Sequence, residues 1–295
     1  MSKIDNHPRH AYMIMCHDNF QHLCRLLSEL DDERNDFYIH IDKKCRSYPY
    51  KEICNSVIKG SLHFVKRVSV NWGGYSQVYA ELVLLEAATK DQHAYYHLIS
   101  GVDYPLKSQN YIHQFFVEHQ GSEFIRFDPN MSENEIEDRM RYYYFFQNKV
   151  GRNRGKFVAL CYVVQQNLVS FQKRIHINRT HWFHNKIYKG VNWFSVTHDL
   201  ALYILKRKKI IKRLCRYSFC ADEIFVQTIA MLSPYRENII NNSLRYIDWK
   251  RGNPYVFTLY DYEELINTKC LFARKFDEKI SIEIVHELHA NILNA

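Results

Sequence analysis

The chain has 295 residues, 46% hydrophobic and 24% charged, which excludes a dominantly disordered protein and leaves ample length to bury a core. Nine glycines and six prolines exclude collagen-like and linker-rich architectures. A formal charge of +8 points to anionic partners (phosphates, nucleic acid or a membrane surface) without choosing among them, and an aromatic content of 15% fits a broad binding surface or the core equally.

Strand and helix signals alternate through the first third. Tyr12-Met13-Ile14-Met15 is a short apolar run that stops at Cys16-His17-Asp18. Phe20, Leu23, Leu26, Leu27 and Leu30 then recur at helical spacing, with Asp18 or Asn19 placed to cap them. Phe37 to Ile41 reads as a buried strand closed by Asp42-Lys43-Lys44, and Leu62 to Val65 as a third strand. Tyr75 to Ala88 reads as a helix with Val78, Leu82, Leu85 and Ala88 on one face, and Tyr95 to Ile99 as a fourth strand running into Ser100-Gly101-Val102-Asp103-Tyr104-Pro105. This alternation predicts an α/β fold with a mainly parallel sheet covered on both faces. Ligands of such sheets bind beyond the carboxyl ends of the strands. The predicted ends carry His17, Asp18, Asp42, Lys43, Ser100 and Asp103.

The second half is less regular. A charged helix is predicted over 132–144, a basic helix over Asp199–Cys215, and a helix opened by Asp222-Glu223 and running through Leu232. Leu244–Ile247 and Tyr255–Leu259 read as strands, and an amphipathic helix follows Ser281. Residues 149 to 190 hold nine Lys/Arg and no acid around the apolar stretch Phe157–Val169. With no internal repeat and no low-complexity linker, one compact unit is expected. None of the eight cysteines lies in a C-x-x-C pair or at zinc-finger spacing, and no secretory h-region follows the polar start. Reduced thiols in a cytoplasmic protein are therefore expected. No run approaches the 18 or so apolar residues of a membrane span.

No G-x-G-x-x-G, Walker A, H-E-x-x-H or Asp-x-Asp pattern occurs, and Asp261-Tyr262-Glu263 reads as a helix start, so a metal held by a carboxylate pair is not indicated. Asp42 at a strand end suits hydrogen bonds from a ribose or base, or is an ordinary turn residue. Ser100–Leu106 is a shape-defining loop, functional or not. Ala221-Asp222-Glu223 is either a helix cap or the seat of a general base. Phe272-Ala273-Arg274-Lys275-Phe276-Asp277 sets two cations between aromatics; a fixed Lys there suits a phosphate leaving group, a solvated one does not.

In order, these pieces resemble the core-2/I-branching β-1,6-N-acetylglucosaminyltransferase family, which includes the peptide O-xylosyltransferases. The segments that match begin with Ala11–His17, Phe37–Lys43, Val70–Ser76 and Tyr96–Lys107, and continue with Asp222–Thr228, Leu244–Trp249 and Phe272–Asp277. The resemblance, which spans about residues 10 to 280, implies a GT-A-like fold with a nucleotide-sugar half (about 1–110) and an acceptor and catalytic half (about 111–295). It implies a UDP-sugar co-substrate, N-acetylglucosamine by default, inversion at the anomeric carbon, and no divalent metal or other cofactor. By the same resemblance Glu223 is the catalytic base. Lys275, Arg274 and Arg251 serve the diphosphate, with Arg245 or Lys250 as substitutes for Arg251, and His17 and Asp42 lie near the uridine. Trp249, Asp103 and Trp193 are expected at the acceptor. The family's Gly-Ser turn before a mid-chain strand reads Lys189-Gly190-Val191-Asn192-Trp193 here, which leaves sugar and acceptor identity open. The expected setting is bacterial surface-polysaccharide synthesis. Two other readings stand beside it: a basic nucleic-acid-binding module, and an inactive relative that binds UDP-sugar or carbohydrate. Residues 149 to 216 hold 16 Lys/Arg against one acid, Asp199, while the rest of the chain is net acidic. That block is expected to meet an anionic membrane surface or a pyrophosphate-lipid-linked acceptor, with the protein peripheral on the inner face of a membrane.

Overall fold

A computed structural model describes residues 8–128, 133–151 and 155–293. Its seven-stranded sheet is built from β1 (His10–Cys16), β2 (Asn35–Ile41), β3 (Ser61–Phe64), β4 (Tyr95–Ser100), β6 (Glu123–Phe127), β7 (Gly190–Thr197) and β8 (Ile239–Ile240), in the order β3-β2-β1-β4-β7-β6-β8. Six strands run one way; β7 alone is antiparallel, to β4 on one side and β6 on the other. A second, three-stranded sheet joins β5 (Asp103–Pro105), β10 (Phe272–Arg274) and β9 (Arg245–Ile247).

The apolar runs of β1, β2 and β4 are continuous because both faces of the sheet are covered. Ala11, Met13, Tyr38, Tyr96 and Leu98 point into a core with the helices Tyr75–Ala88, His198–Lys206 and Phe225–Met231. Their neighbours Tyr12, Ile14, Phe37, Ile39 and Ile99 point the other way, toward the helices Phe20–Leu30 and Gln109–Glu118. This is the period-two alternation of a strand sandwiched between helix layers. A third core gathers Tyr104, Phe257, Ala273 and Phe276 under the helices Tyr262–Asn267 and Glu283–Leu293. Arg245 ties the two sheets together. It is fully buried, stacks on Phe272, and donates to Ser195 Oγ (2.7 Å), Phe194 O (2.9 Å), Leu98 O (3.1 Å) and Ser243 O.

The mainly parallel α/β sheet agrees with the sequence reading, and several details depart from it. Tyr255–Leu259 forms no strand: Tyr255 N–H and Phe257 N–H bond Asp248 O and Lys275 O, and the chain then turns into a short 3-10 helix. The basic helix over Asp199–Cys215 is two helices, His198–Lys206 and Lys208–Cys215, parted at Arg207, whose guanidinium lies 3.3 Å from the Tyr203 ring centroid. Asp222-Glu223 sits in a 3-10 turn (Ala221–Glu223) ahead of the helix Phe225–Met231. Asp103–Pro105, expected as loop, is β5. The charged helix predicted from residue 132 runs Glu133–Arg141, and residue 132 lies outside the described residues. β6 and β7 are hydrogen-bonded neighbours, yet residues 128–189 lie between them in the chain.

Candidate active site at the carboxyl edge of the sheet

The loops after β2 and β4 bond to the end of β1: Asp42 N–H reaches Cys16 O (2.9 Å) and Gly101 N–H reaches Met15 O (2.9 Å). His17 follows on that edge, exposed, its Nε2 3.4 Å from the Asp18 carboxylate. Asp42 is buried and folded onto its own turn, where Oδ1 accepts from Lys44 N–H (2.8 Å) and Val70 N–H (3.4 Å). Because β7 is antiparallel, its beginning lies at this same edge, and it delivers Lys189 there.

Glu223 is presented on the 221–223 turn with its side chain 34% exposed. Arg139 Nη1 (2.8 Å) and Lys189 Nζ (3.4 Å) both converge on its Oε2. Lys189 also bridges to Asp128 (3.1 Å), and Arg139 lies against the Phe219 ring. The turn is propped by the Trp72-Gly73-Gly74 loop: Cys220 N–H donates to Gly73 O (2.9 Å). Gly73 has φ +69°, and a Cβ there would press on Gln147 and on Cys220 Sγ. A glycine is the residue that fits that conformation in that space. Beneath Glu223, Asp222 is buried and accepts from Gln77 Nε2 (2.7 Å) through Oδ2, while Oδ1 has no partner. Burial, reinforced by the neighbouring charge of Glu223, pushes Asp222 up to about 7. Glu81 lies deeper, with neither carboxyl oxygen partnered, and burial together with Asp222 drives it well above the usual carboxylate range. The two buried acids thus favour their protonated forms, while Glu223 faces two cations and solvent.

Asp103, Arg274 and Trp193 form one unit. Arg274 Nη1 donates to Asp103 Oδ1 (3.0 Å), and the guanidinium packs 4.5 Å from the Trp193 ring centroid. Asp103 is fully buried and also accepts from Ser100 N–H (3.0 Å). Burial raises its pKa, with Arg274 opposing. The expectation that Asp103 and Trp193 touch an acceptor directly does not fit this burial: Asp103 has no surface, Trp193 is buried, and Arg274 is what the pair holds in place. Lys275 follows, half-buried, with no side-chain hydrogen bond or ion pair among the described residues.

The other expected cations have different surroundings. Arg251 lies over Tyr255 (4.3 Å) and is held by three carboxylates: Glu264 at 2.9 Å, together with Asp248 and Asp261. A guanidinium with three carboxylate partners has little charge left for a diphosphate. Arg245 is the interior tie already described and cannot meet a solute. Lys250 and Trp249 are exposed on the neighbouring loop. Arg139, Gln77 and Glu81 belong to this constellation and were not singled out by motif; Lys189 stands in the segment matched to the family's Gly-Ser turn, where no role was read for it. For Glu81 a signal exists: it falls at i+3 from Val78, inside the apolar face 78-82-85 of its helix.

A cavity of about 450 Å³ opens at the opposite end of the sheet, beside His10, His93, Glu123 and His198. Its polar groups are bonded within the protein, His93 to Asp36, Glu123 to Thr197 and His198 to Tyr96. Among the described residues, no group of three or more His, Cys, Asp or Glu is placed to hold a metal ion, and the eight cysteines are free.

The profile of the Core-2/I-Branching enzyme family matches residues 10–266. Xylosyltransferase sqv-6 of Caenorhabditis briggsae is 24% identical over 90% of this chain, which covers 34% of that protein. Xylosyltransferase 2 of Rattus norvegicus is 22% identical over 95% of the chain and 33% of its own length. The chain therefore spans about a third of the curated relatives it matches. Mouse xyloside xylosyltransferase 1, in its apo crystal structure, aligns over 90% of this chain and 97% of its own at 9% identity, with a TM-score of 0.37. With the profile running from β1 through the Glu223 turn to β9, the chain belongs to the Core-2/I-Branching enzyme family.

Proposed function

We propose that the chain is an inverting, metal-independent glycosyltransferase of GT-A-like fold that moves a sugar from a UDP-sugar to a glycan hydroxyl. The observation that carries this reading is Glu223. It is a solvent-reachable carboxylate fixed by Arg139 and Lys189 at the carboxyl edge of a parallel sheet, in a chain of this family. Glu223 takes the proton of the acceptor hydroxyl as its oxygen bonds to C1 of the sugar. The bond from C1 to the diphosphate breaks on the opposite face, and UDP leaves with the electron pair. Lys275, half-buried and without an ion partner among the described residues, stabilises the charge on that leaving group, with Arg274 beside it. His17 and Asp42 border the uridine, and exposed Trp249 is the acceptor platform. N-acetylglucosamine is the default sugar, and the xylosyltransferase relatives make xylose the first alternative. The acceptor is a surface-polysaccharide glycan, and we place its anionic surroundings against the basic block of residues 149–216.

A panel of UDP-sugars scored for UDP release, with glycan acceptors and with and without chelator, tests the reading. Glu223→Gln is expected to bind UDP normally and lose about 10²–10⁴-fold in transfer rate. Near-normal transfer by that variant removes Glu223 as base, and activity that depends on an added divalent cation removes metal independence.

A further inference from the structure

The helix Lys156–Arg174 is turned inside out. Its protein-facing side holds Gln165 and Gln172 with Cys161 and Val169. Gln165 Oε1 accepts from Phe146 N–H (3.0 Å) and its Nε2 donates to Gln147 Oε1 (3.1 Å). Gln172 brackets Tyr143, accepting from its N–H (2.8 Å) and donating to its carbonyl (3.1 Å). Among its exposed side chains, which include Tyr162, Val163, Gln166, Asn167 and Ser170, six apolar ones form a row: Phe157, Leu160, Val164, Leu168, Phe171 and, just past the helix end, Ile175; Phe157, the most exposed, shows 65% of its surface. Their spacing of 3, 4, 4, 3 and 4 gathers all six into an arc of about 80° at 100° per residue. An amphipathic helix normally buries such a row and hydrates its amides; here the arrangement is reversed, so the row is made for something outside the chain.

The charge around the row says what that something is. Lys156 opens the helix and Arg174 ends it, both exposed and without an ion-pair partner among the described residues. Arg179 donates to Leu214 O (2.6 Å) and so holds the chain just past the helix against the helix Lys208–Cys215, whose flank exposes Lys209, Lys212 and, just beyond, Arg216. Residues 149–216 hold 16 cations and one acid; Lys173, Lys189 and Lys208 pair with acids elsewhere, and the block stays strongly positive. A second copy of the chain would bring the same cationic block against itself, a like-charge contact that opposes a symmetric dimer. A nucleic acid would use the cations and gain nothing from Leu160, Val164 and Leu168. Among the described residues no helix is long and apolar enough to cross a membrane. An apolar row rimmed by unneutralised cations matches the plane where acyl chains meet anionic headgroups.

We infer that the helix Lys156–Arg174 lies flat in the interface of an anionic bilayer, its Phe157-to-Ile175 row among the acyl chains and the neighbouring lysines and arginines on the headgroups. The segment it rests on also carries Arg139 to Glu223 and, through Gln147, bonds Trp72 O (3.2 Å) in the loop that props the catalytic turn. Docking would therefore hold the carboxyl edge of the sheet beside the membrane, where a lipid-linked glycan presents its hydroxyl. That last step rests on the glycosyltransferase reading; the docking itself does not.

Vesicle flotation of the whole chain, with phosphatidylcholine alone and with added phosphatidylglycerol, tests it without any sugar nucleotide. Wild type should float with the anionic vesicles only, and added salt should release part of it. The variant Leu160→Gln/Val164→Gln/Leu168→Gln changes exposed side chains only. It should keep the wild-type circular dichroism and melting temperature while its partitioning falls at least about tenfold. Absence of wild-type flotation at low salt overturns the inference, as does equal flotation of the triple variant. Oligomers that the triple substitution dissociates, or oligonucleotide binding that it abolishes, would assign the row to those partners instead. Because flotation and UDP release are read separately, either proposal can fail while the other stands.

Discussion

Glu223 is surrounded by charges of both signs, and their placement decides what each contributes. Arg139 and Lys189 hold one carboxylate oxygen, which under the proposed mechanism fixes the direction in which Glu223 would accept a proton. Arg139→Ala should therefore lower kcat by about 10²-fold, the scale of a misplaced catalytic group, with little change in KM; a pure KM effect in steady-state kinetics would place Arg139 in substrate binding instead. Lys275→Ala should weaken UDP binding by about tenfold in titration calorimetry, as removal of one charge-assisted contact does, with an unchanged denaturation midpoint. Motif order led to Glu223, Lys275 and Arg274. Arg139 stayed hidden, and Lys189 stood in a quoted segment without a role, because no local pattern marks a residue that matters through a contact made 84 or 34 positions away in the chain.

Among the elements, β1, β2 and β4 were legible because strands covered on both faces are uninterrupted apolar runs. β6, β7 and β10 were not. Glu-Phe-Ile-Arg-Phe and Phe-Ala-Arg are too short and too charged for the pattern, and β7 opens on a glycine. That glycine has a physical reason: a Cβ on Gly190 would sit 1.7 Å from Arg126 O, because the β6–β7 ladder shifts register there. Gly190→Ala must push the two strands apart at the point where Lys189 reaches Glu223. We expect a loss of at least about 2 kcal/mol in urea denaturation, the cost of overpacking a rigid contact. Arg245→Met should cost about 3–5 kcal/mol in the same assay, since it strands three backbone carbonyls and Ser195 in the interior. An arginine in a strand looks like a ligand residue in sequence; only the tertiary fold shows it as a cross-sheet tie.

For the whole molecule, buried ionisable groups set how stability varies with pH. Asp222 and Glu123 are both pushed up to about 7, chiefly by burial, and Glu81 rises well above the usual range for the same reason. Each is protonated when folded and ionised when unfolded above a pH of about 4, so each stabilises in acid and loses that contribution as pH rises through its folded value. His10 and His97 are lowered by burial: neutral when folded and protonated when unfolded below a pH of about 6.5, they withdraw stability as pH falls. Glu81, raised by the same cause, withdraws stability as pH rises above the ordinary carboxylate range. The denaturation midpoint of the wild type should therefore fall more steeply with rising pH than that of Glu81→Gln, and identical slopes would show that Glu81 keeps no proton. The α/β class was legible at this scale, as was the concentration of cations in the second half. The orientation of the helix 156–174 was not, because apolar spacing fixes a face and says nothing about which way that face points.

An antiparallel pair of strands needs only a two-residue turn, yet β6 and β7 are parted by residues 128–189. The sheet asks nothing of that excursion except that it leave after Phe127 and return at Gly190. It is thus an insertion that the strand order does not require, yet it is seated in the fold, with Ile136 and Met140 in the sheet's core, and it holds Arg139, Lys189 and the outward-facing apolar helix. Grafting the excursion of one family member onto the sheet of another should leave the host's strand order unchanged, which a crystal structure of the chimaera would check.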